Sequence, residues 1–167
     1  MSIIDDDLVE RSVEIHWPDD AEPASADLFA HNAIVIEGSA EKIWATLVDA
    51  ATWPGWYSNA DDVVINHRSG LLVLGATFTW RTFGLHITST IAEFVPHSRI
   101  SWYGSGDQLR AYHAWLLIRR GPSSTYVVME EVGIGERAQE LARTNPGHMH
   151  RGHELWNVSL KFVVEGG

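Results

Sequence analysis

The sequence lacks features that several classes of protein require. It contains no cysteine, which excludes a disulfide framework, a thiolate metal site and a catalytic thiol. Basic residues number only 12 against 22 acidic ones, and the formal net charge of -10 would repel nucleic acid and anionic membranes. No apolar run approaches the roughly 18 residues of a membrane span, and the start, MSIIDDDLVE, is unlike a signal peptide. We expect a cytoplasmic protein without a nucleic-acid partner or membrane insertion.

Tryptophan is the residue in excess, with eight in 167 residues. A chain of this length can bury roughly 70% of its surface in one core, and large flat side chains are expected to line it. Residues 1–28 are rich in acidic and turn-forming residues and are predicted to be an N-terminal extension, in which "VEIHW" is a candidate edge strand. Residues 29–167 are predicted to form a single domain.

The order of secondary-structure signals predicts an α+β fold. A strand from Ala30, "AHNAIVIEG", precedes a helix with Ser39 as its N-cap. Alternating runs separated by turn signals then predict an antiparallel meander, and they are "VVINH", "GATFTWRTF", "LHITSTIAEF", "RISWYG", "QLRAYHAWLLI" and "STYVVMEEV". The chain ends with the helix "ERAQELAR" and a longer amphipathic helix from His148. A sheet with one apolar face is expected to cover that last helix.

Tight turns at Phe83-Gly84, Pro96-His97, Ser105-Gly106 and Gly121-Pro122 predict a consistent set of strand registers. The predicted pairs are Trp80 with Ile87, Phe78 with Ser89, Ile91 with Trp102, Glu93 with Ile100, Trp102 with Leu109, His113 with Glu130, and Trp115 with Val128. One face is then nearly all apolar, and the opposite face is predicted to meet solvent. The polar exceptions on the apolar face are Ser89, Glu93, His113, Tyr126 and Glu130.

The segments "IVIEGSAEKIWATLVDAATWPGWYSNADDVVI" and "STIAEFVPHSRISWYG" resemble the START and birch-pollen-allergen-like superfamily, also called SRPBCC or polyketide cyclase/dehydrase and lipid transport. The resemblance runs from about Ile34 to Val164, and "AYHAW", "MEEVG" and "HRGHELW" are similar to patterns in bacterial members. It implies a helix-grip fold, in which about seven antiparallel strands curl around the C-terminal helix over a ligand cavity. Members include carriers, aromatase/cyclases and partner-docking proteins, so the resemblance implies no single activity.

The predicted pairing of His113 with Glu130 is the arrangement best suited to acid–base chemistry. A carboxylate beside an imidazole fixes its tautomer and raises its basicity, which suits a general base near neutral pH. Tyr126 would donate a hydrogen bond to a developing oxyanion. The alternative is a buried polar pair that only fixes strand register, since burying either group alone would be costly.

The predicted function is binding of a small apolar molecule, aromatic, polyketide-like or lipid-like, in an internal cavity. The His/Glu pair would then catalyse its cyclisation, dehydration or isomerisation. The expected ligand-binding residues are Phe78, Trp80, Ile91, Glu93, Trp102, Trp115, His153, Trp156 and Leu160. The alternatives are a non-catalytic carrier and a protein-docking module that uses the acidic extension as its arm.

The run "HMHRGH" brings three histidines close together in sequence, at His148, His150 and His153. Their positions on a helix point in different directions, and no carboxylate joins them at the spacing of zinc-binding helices. We therefore expect no metal at this run, and the sequence as a whole predicts no cofactor.

Overall fold

A seven-stranded antiparallel sheet in the order β1-β7-β6-β5-β4-β3-β2 curves around one long helix. The computed structural model describes residues 1–167. Its strands are β1 (Leu28–Ile36), β2 (Asp61–Asn66), β3 (Thr77–Thr82), β4 (Leu85–Val95), β5 (Arg99–Gly106), β6 (Leu109–Gly121) and β7 (Ser124–Ile134). Its α-helices are α1 (Ile3–Glu10), α2 (Ala40–Val48), α3 (Glu136–Thr144) and α4 (His148–Gly166), and short 3-10 helices cover Asp19–Ala21, Pro23–Ser25 and Ala50–Gly55. The predicted helix-grip fold is confirmed.

Local sequence explains several of these elements. The side chain of Ser39 accepts a hydrogen bond from the Lys42 amide at 3.1 Å, so the predicted N-cap starts α2. Phe83 and Gly84 both have positive φ, as a two-residue hairpin turn requires. This turn sets β3 against β4 with Trp80 opposite Ile87, as predicted. None of the helices has the length and apolar character needed to cross a membrane.

The inner face of the sheet packs on α4 and forms the main core. Its largest fully buried side chains are Trp53, Trp115, Trp156, Tyr57 and Phe78. Trp156 of α4 stacks on Tyr57 with ring centroids 4.6 Å apart and an interplanar angle of 7°. Most of the space between sheet and helix is therefore filled by aromatic rings.

Four of the seven predicted pairs are wrong, because three of the four hairpins are less regular than their turn signals indicate. The predicted pairs Trp80–Ile87, Phe78–Ser89 and Ile91–Trp102 are confirmed. An irregularity between Ile91 and Glu93 places Glu93 opposite Ser101 instead of Ile100. The β5–β6 turn lies at Asp107 and Gln108, which both have positive φ, so Trp102 pairs with His113 instead of Leu109.

Gly106 is not part of that turn but allows close backbone packing, since a Cβ there would lie 2.2 Å from the His86 carbonyl oxygen. A further irregularity between Arg119 and Gly121 places His113 opposite Glu131 and Trp115 opposite Met129. Each one-residue change transfers the following side chains of a strand to the other face.

The N-terminal segment, residues 1–27, packs on the outer face of the sheet. Ile15 packs in a cluster with Ala114, Leu116 and Val128, and the Trp17 ring lies 5.7 Å from the ring of Tyr112. "VEIHW" therefore docks through side chains and not as the edge strand considered above. The prediction of a solvent-facing outer face holds along β4, where His86, Thr88 and Thr90 are exposed, and is wrong where this segment covers β6 and β7.

Candidate functional site

Three titratable side chains from three elements meet on the inner face. His113 of β6 lies directly opposite Glu131 of β7, and His153 reaches them from α4. His113 Nδ1 is 3.5 Å from Glu131 Oε2, and His153 Nε2 is 3.0 Å from Glu131 Oε1. The side chains of His113, His153 and Glu131 are 2%, 1% and 16% exposed, respectively. We call this group the His–Glu–His cluster.

Aromatic packing holds the cluster in place. The His113 ring stacks on Trp102, with centroids 4.5 Å apart and an interplanar angle of 7°. Trp156 lies 5.3 Å from the same ring, and the two histidine rings lie 5.2 Å apart. At Gly152, the residue before His153, a Cβ would lie 2.4 Å from the Phe83 ring, so glycine allows Phe83 to pack beside the cluster. Such packing leaves the rings little rotational freedom.

Burial and mutual contacts set the charges of the cluster. Burial lowers the pKa of His113 below its ordinary value of 6.5, and the charge of Glu131 only partly opposes this. Burial alone would raise the pKa of Glu131, but the contacts with His113 and His153 outweigh it and hold that pKa below its ordinary 4.5. At neutral pH, Glu131 is therefore ionised and His113 is neutral. The charged groups nearest to Glu131 include no lysine or arginine, and its side-chain contacts are with these two histidines.

An apolar cavity of about 60 Å³ reaches the cluster at Glu131. It lies between strands β3 to β6 and the beginning of α4, and half-buried Phe83, Leu141 and His148 form part of its wall. Three polar atoms on wall residues have no hydrogen-bond partner, namely Trp80 Nε1, Thr82 Oγ1 and Ser89 Oγ. The full lining is Leu28, Trp80, Thr82, Phe83, Leu85, Ile87, Ser89, Trp102, Gly104, Leu109, Ala111, Glu131, Leu141, His148 and Met149.

Most of the residues expected to bind a ligand do lie on the inner face. They are Phe78, Trp80, Ile91, Trp102, Trp115, His153, Trp156 and Leu160, and all are buried. Only Trp80 and Trp102 among them line the cavity. The others fill the core around it.

Three predicted site residues lie on the outer face, because the register of their strands differs from the predicted one. Glu130 faces away from His113, so the predicted His113–Glu130 dyad is wrong. Glu130 Oε2 instead accepts a hydrogen bond from the Ser12 amide at 2.7 Å and lies 2.6 Å from His31 Nδ1.

The other two corrections have the same cause. Tyr126 lies with its ring 4.6 Å from the Arg120 guanidinium carbon and packs against the outer apolar cluster, far from a role as oxyanion donor. Glu93 Oε2 is 2.7 Å from His16 Nδ1 of the N-terminal segment. Neither residue lines the cavity.

The sequence pattern missed Glu131, which was assigned to the outer face. The only signal for it was its position next to Glu130, since a one-residue shift in β7 exchanges the two. Of the three histidines in "HMHRGH", only His153 joins the cluster. His150 Nδ1 lies 2.8 Å from Asp7, and the His148 ring lies 5.1 Å from the ring of Phe83.

Comparisons with known proteins agree with the observed fold. Residues 30–151 match the family model for polyketide cyclase/dehydrase and lipid transport, and no curated protein sequence matches the chain significantly. Among solved structures, the hypothetical protein jhp0584 from Helicobacter pylori is 26% identical, with a TM-score of 0.83, covering 92% of this chain and 98% of its own.

Two further structures are similar in fold alone. A START superfamily protein from Mycobacterium smegmatis has a TM-score of 0.66 at 15% identity, covering 83% of this chain and 97% of its own. The Zhui aromatase/cyclase from Streptomyces sp. R1128 has a TM-score of 0.65 at 12% identity, covering 82% of this chain and 93% of its own. With its family model spanning most of the sheet and the start of α4, this chain belongs to the polyketide cyclase/dehydrase and lipid transport family.

Proposed function

We propose that the protein binds a small, largely apolar molecule whose polar group contacts Glu131. The observation that carries this proposal is an apolar cavity with an ionised, nearly buried carboxylate on its wall. Buried polar groups in a binding site usually fix the orientation of a ligand. Because an ionised carboxylate only accepts hydrogen bonds, the ligand should present a hydroxyl or N–H group to it.

The unpartnered atoms on the wall refine the class of ligand. The Trp80 indole N–H can only donate, whereas the Thr82 and Ser89 hydroxyls can donate or accept. A molecule with both a donor and a carbonyl-type acceptor would satisfy these groups together with Glu131. Small phenols, hydroxybenzaldehydes and hydroxyketones have this combination.

The cavity volume limits the size of that ligand. A dry protein cavity of roughly 150 Å³ can hold benzene, and about 60 Å³ is less than half of that. A polyketide- or lipid-sized molecule would therefore require Phe83, Leu141 and His148 to move outwards. We favour a single-ring molecule or a smaller one, admitted by a modest movement of these half-buried side chains.

Turnover is the second part of the proposal, and the Glu131–His153 contact favours it. Glu131 would take a proton from a carbon next to the ligand's carbonyl, or from its hydroxyl, during an isomerisation, dehydration or cyclisation. Its lowered pKa makes it a weak base, so the ligand's proton must itself be acidic. Protein docking through the groove of the sheet is less favoured, because α4 already fills that groove.

Tryptophan fluorescence tests the proposal, because Trp80 and Trp102 line the cavity. We expect saturable quenching with at least one phenol, hydroxybenzaldehyde or hydroxyketone, and a loss of about 10-fold or more in affinity for Glu131→Gln. Glu154→Gln, an exposed carboxylate beside His153 in sequence, is the matched control and should bind like the unaltered protein. Equal affinities for Glu131→Gln and the unaltered protein, or no saturable signal with any probe, would overturn the proposal.

A further inference from the structure

We infer that His113, Glu131 and His153 form a binding site for a divalent transition-metal ion, for which zinc is the best candidate. The inference concerns the same cluster as the proposed function. It rests on the proposed function in one respect only. The ion's open coordination position is expected to point toward the cavity, on the side where Glu131 lines the wall.

The spacing of the donor atoms fits such an ion. One ligand atom from each of the three residues lies within 4.8 Å of the others, and the two nearest nitrogen–oxygen distances are 3.0 and 3.5 Å. A tetrahedral zinc ion with bonds of about 2.0 to 2.1 Å separates its ligand atoms by roughly 3.3 Å. A small adjustment of the Glu131 carboxylate, with only limited movement of the packed rings, would bring the three donors to that spacing.

The donor set also fits. Two imidazoles and one carboxylate, with the fourth position left to water or a ligand, are typical of catalytic zinc sites. Imidazole nitrogen suits zinc and neighbouring transition metals, whereas magnesium and calcium prefer oxygen donors. The three residues come from β6, β7 and α4, so the folded core brings them together before any metal arrives.

Charge is a further independent argument. The carboxylate of Glu131 is nearly buried, and it contacts two histidines but no permanently charged lysine or arginine. A buried charge normally requires a compensating partner. A divalent ion bound between the rings and the carboxylate would supply that positive charge.

The neighbouring Glu130 lacks the set of metal ligands that surrounds Glu131. Glu130 is fully buried and contacts one histidine, His31, but its other partner is the backbone N–H of Ser12. A backbone N–H is a donor and cannot bind a cation. The metal inference therefore applies to the inner face only.

The far nitrogens of the two histidines limit the expected affinity. His113 Nε2 and His153 Nδ1 are buried without a hydrogen-bond partner, whereas metal-binding histidines usually donate that second N–H to an acceptor. Loss of such a partner typically costs about 10- to 100-fold in metal affinity. We expect micromolar binding and not the much tighter binding of structural zinc sites.

Titration of the full-length, chelator-treated protein with zinc and with cobalt(II) tests the inference. Calorimetry should give one zinc ion per chain, and cobalt should give the intense visible absorption of a tetrahedral, nitrogen- and oxygen-ligated ion. His113→Gln, His153→Gln and Glu131→Gln should each weaken zinc binding at least about 10-fold. His150→Gln on the same helix and His86→Gln on the outer face are matched controls that should bind as the unaltered protein does.

Three outcomes would overturn the inference, and the first two do not depend on the variants folding. The first is the absence of stoichiometric zinc binding, and the second is a cobalt spectrum identical to that of the free ion. A third contrary outcome is zinc binding that survives His113→Gln and His153→Gln in variants with native circular dichroism. The fluorescence titration of metal-free protein separates the two ideas, since ligand quenching without zinc binding refutes the metal site alone, and zinc binding without quenching by any probe refutes the proposed ligand alone.

Discussion

Glu130 and Glu131 are adjacent in β7, yet they lie on opposite faces of the sheet and in different surroundings. Glu130 is completely buried beneath the N-terminal segment and accepts a hydrogen bond from the Ser12 backbone. Glu131 keeps 16% of its side chain exposed, lies beside the cavity and contacts two histidines. The outer carboxylate holds the N-terminal segment on the sheet, whereas the inner one belongs to a cluster that could bind a ligand or transfer a proton.

The two faces differ in the same way as the two glutamates. The outer face is closed by contacts of residues 1–27, among them Ser12 with Glu130 and His16 with Glu93. Unpartnered polar atoms occur on both faces, and Glu130 Oε1 and Trp17 Nε1 are outer-face examples, but only those of the inner face lie on the cavity wall or in the cluster. In a folded protein, unpartnered buried polar atoms are unusual and often mark sites that bind something. The comparison predicts that outer-face changes alter stability and inner-face changes alter binding.

The largest effect is expected from Glu130→Ala. The change leaves the Ser12 amide and His31 without their buried partner, which should lower the free energy of unfolding by about 3 to 5 kcal/mol. Glu131→Ala should cost no more than about 2 kcal/mol, because its contacts are longer and partly exposed. Urea denaturation of the two variants measures the difference, and a larger loss for Glu131→Ala would contradict the assignment of the two faces.

Trp17→Ala should have the next largest effect. It removes a ring that packs against Phe29 and Tyr112 at centroid distances of 6.1 and 5.7 Å. We expect a loss of about 2 to 3 kcal/mol, below the usual cost for a fully buried ring because Trp17 is half-buried. Val13→Ala in the same segment is 97% exposed and should change stability by less than about 0.5 kcal/mol. Equal stabilities for these two variants would show that the segment does not dock as described.

A smaller effect is expected from acidification. Burial lowers the pKa of His113, so below pH 6.5 the unfolded chain binds a proton at this residue more readily than the folded chain does. The free energy of unfolding therefore falls as the pH drops below about 6.5. The lowered pKa of Glu131 extends this loss below its ordinary 4.5. One proton changes the unfolding free energy by at most about 1.4 kcal/mol per pH unit.

Thermal unfolding between pH 7 and 5 measures this slope, and His113→Gln should flatten it. The pKa of His148 is also lowered by burial and by Arg151, so His148→Gln should remove a further part of the pH dependence of stability. Because His148 is only half-buried, we expect that part to be the smaller one. An unchanged slope in His113→Gln would indicate that His113 is not buried in a neutral form.

The smallest effect is expected from Tyr126→Phe. The hydroxyl of Tyr126 makes no side-chain hydrogen bond, and phenylalanine retains the ring beneath Arg120. Stability and ligand affinity should therefore both stay within about 0.5 kcal/mol of the original. Tyr57→Phe is the comparison, because that buried hydroxyl bonds to the Gly152 carbonyl and to Asn59, and its loss should cost about 1 to 2 kcal/mol. A marked loss of ligand affinity in Tyr126→Phe would contradict the placement of Tyr126 on the outer face.

Much of the inner face could be predicted from particular residues. Ser39 capped the helix as expected, and alternation along β3 and β6 correctly turned Trp80, His113 and Trp115 inwards. The carboxylate partner of His113 could not be predicted, because it depends on an irregularity between Arg119 and Gly121. The pairing of His113 with Trp102 depends in turn on the Asp107–Gln108 turn. Neither has a strong local signal, since Gly106 and Gly121 are the residues that usually mark turns.

By itself, the sequence determined the order of elements and the alternation of apolar residues within each strand, because side chains in a strand point to opposite faces with a fixed period of two. It therefore determined that a sheet would close on a long amphipathic helix around many tryptophans. Only the tertiary structure decided which glutamate lies opposite His113, which residues His153 of α4 contacts, and which segment covers the outer face. Those outcomes depend on the offset between strands and on long-range packing of residues 1–27, and a single extra residue in one strand reverses which face every later side chain occupies.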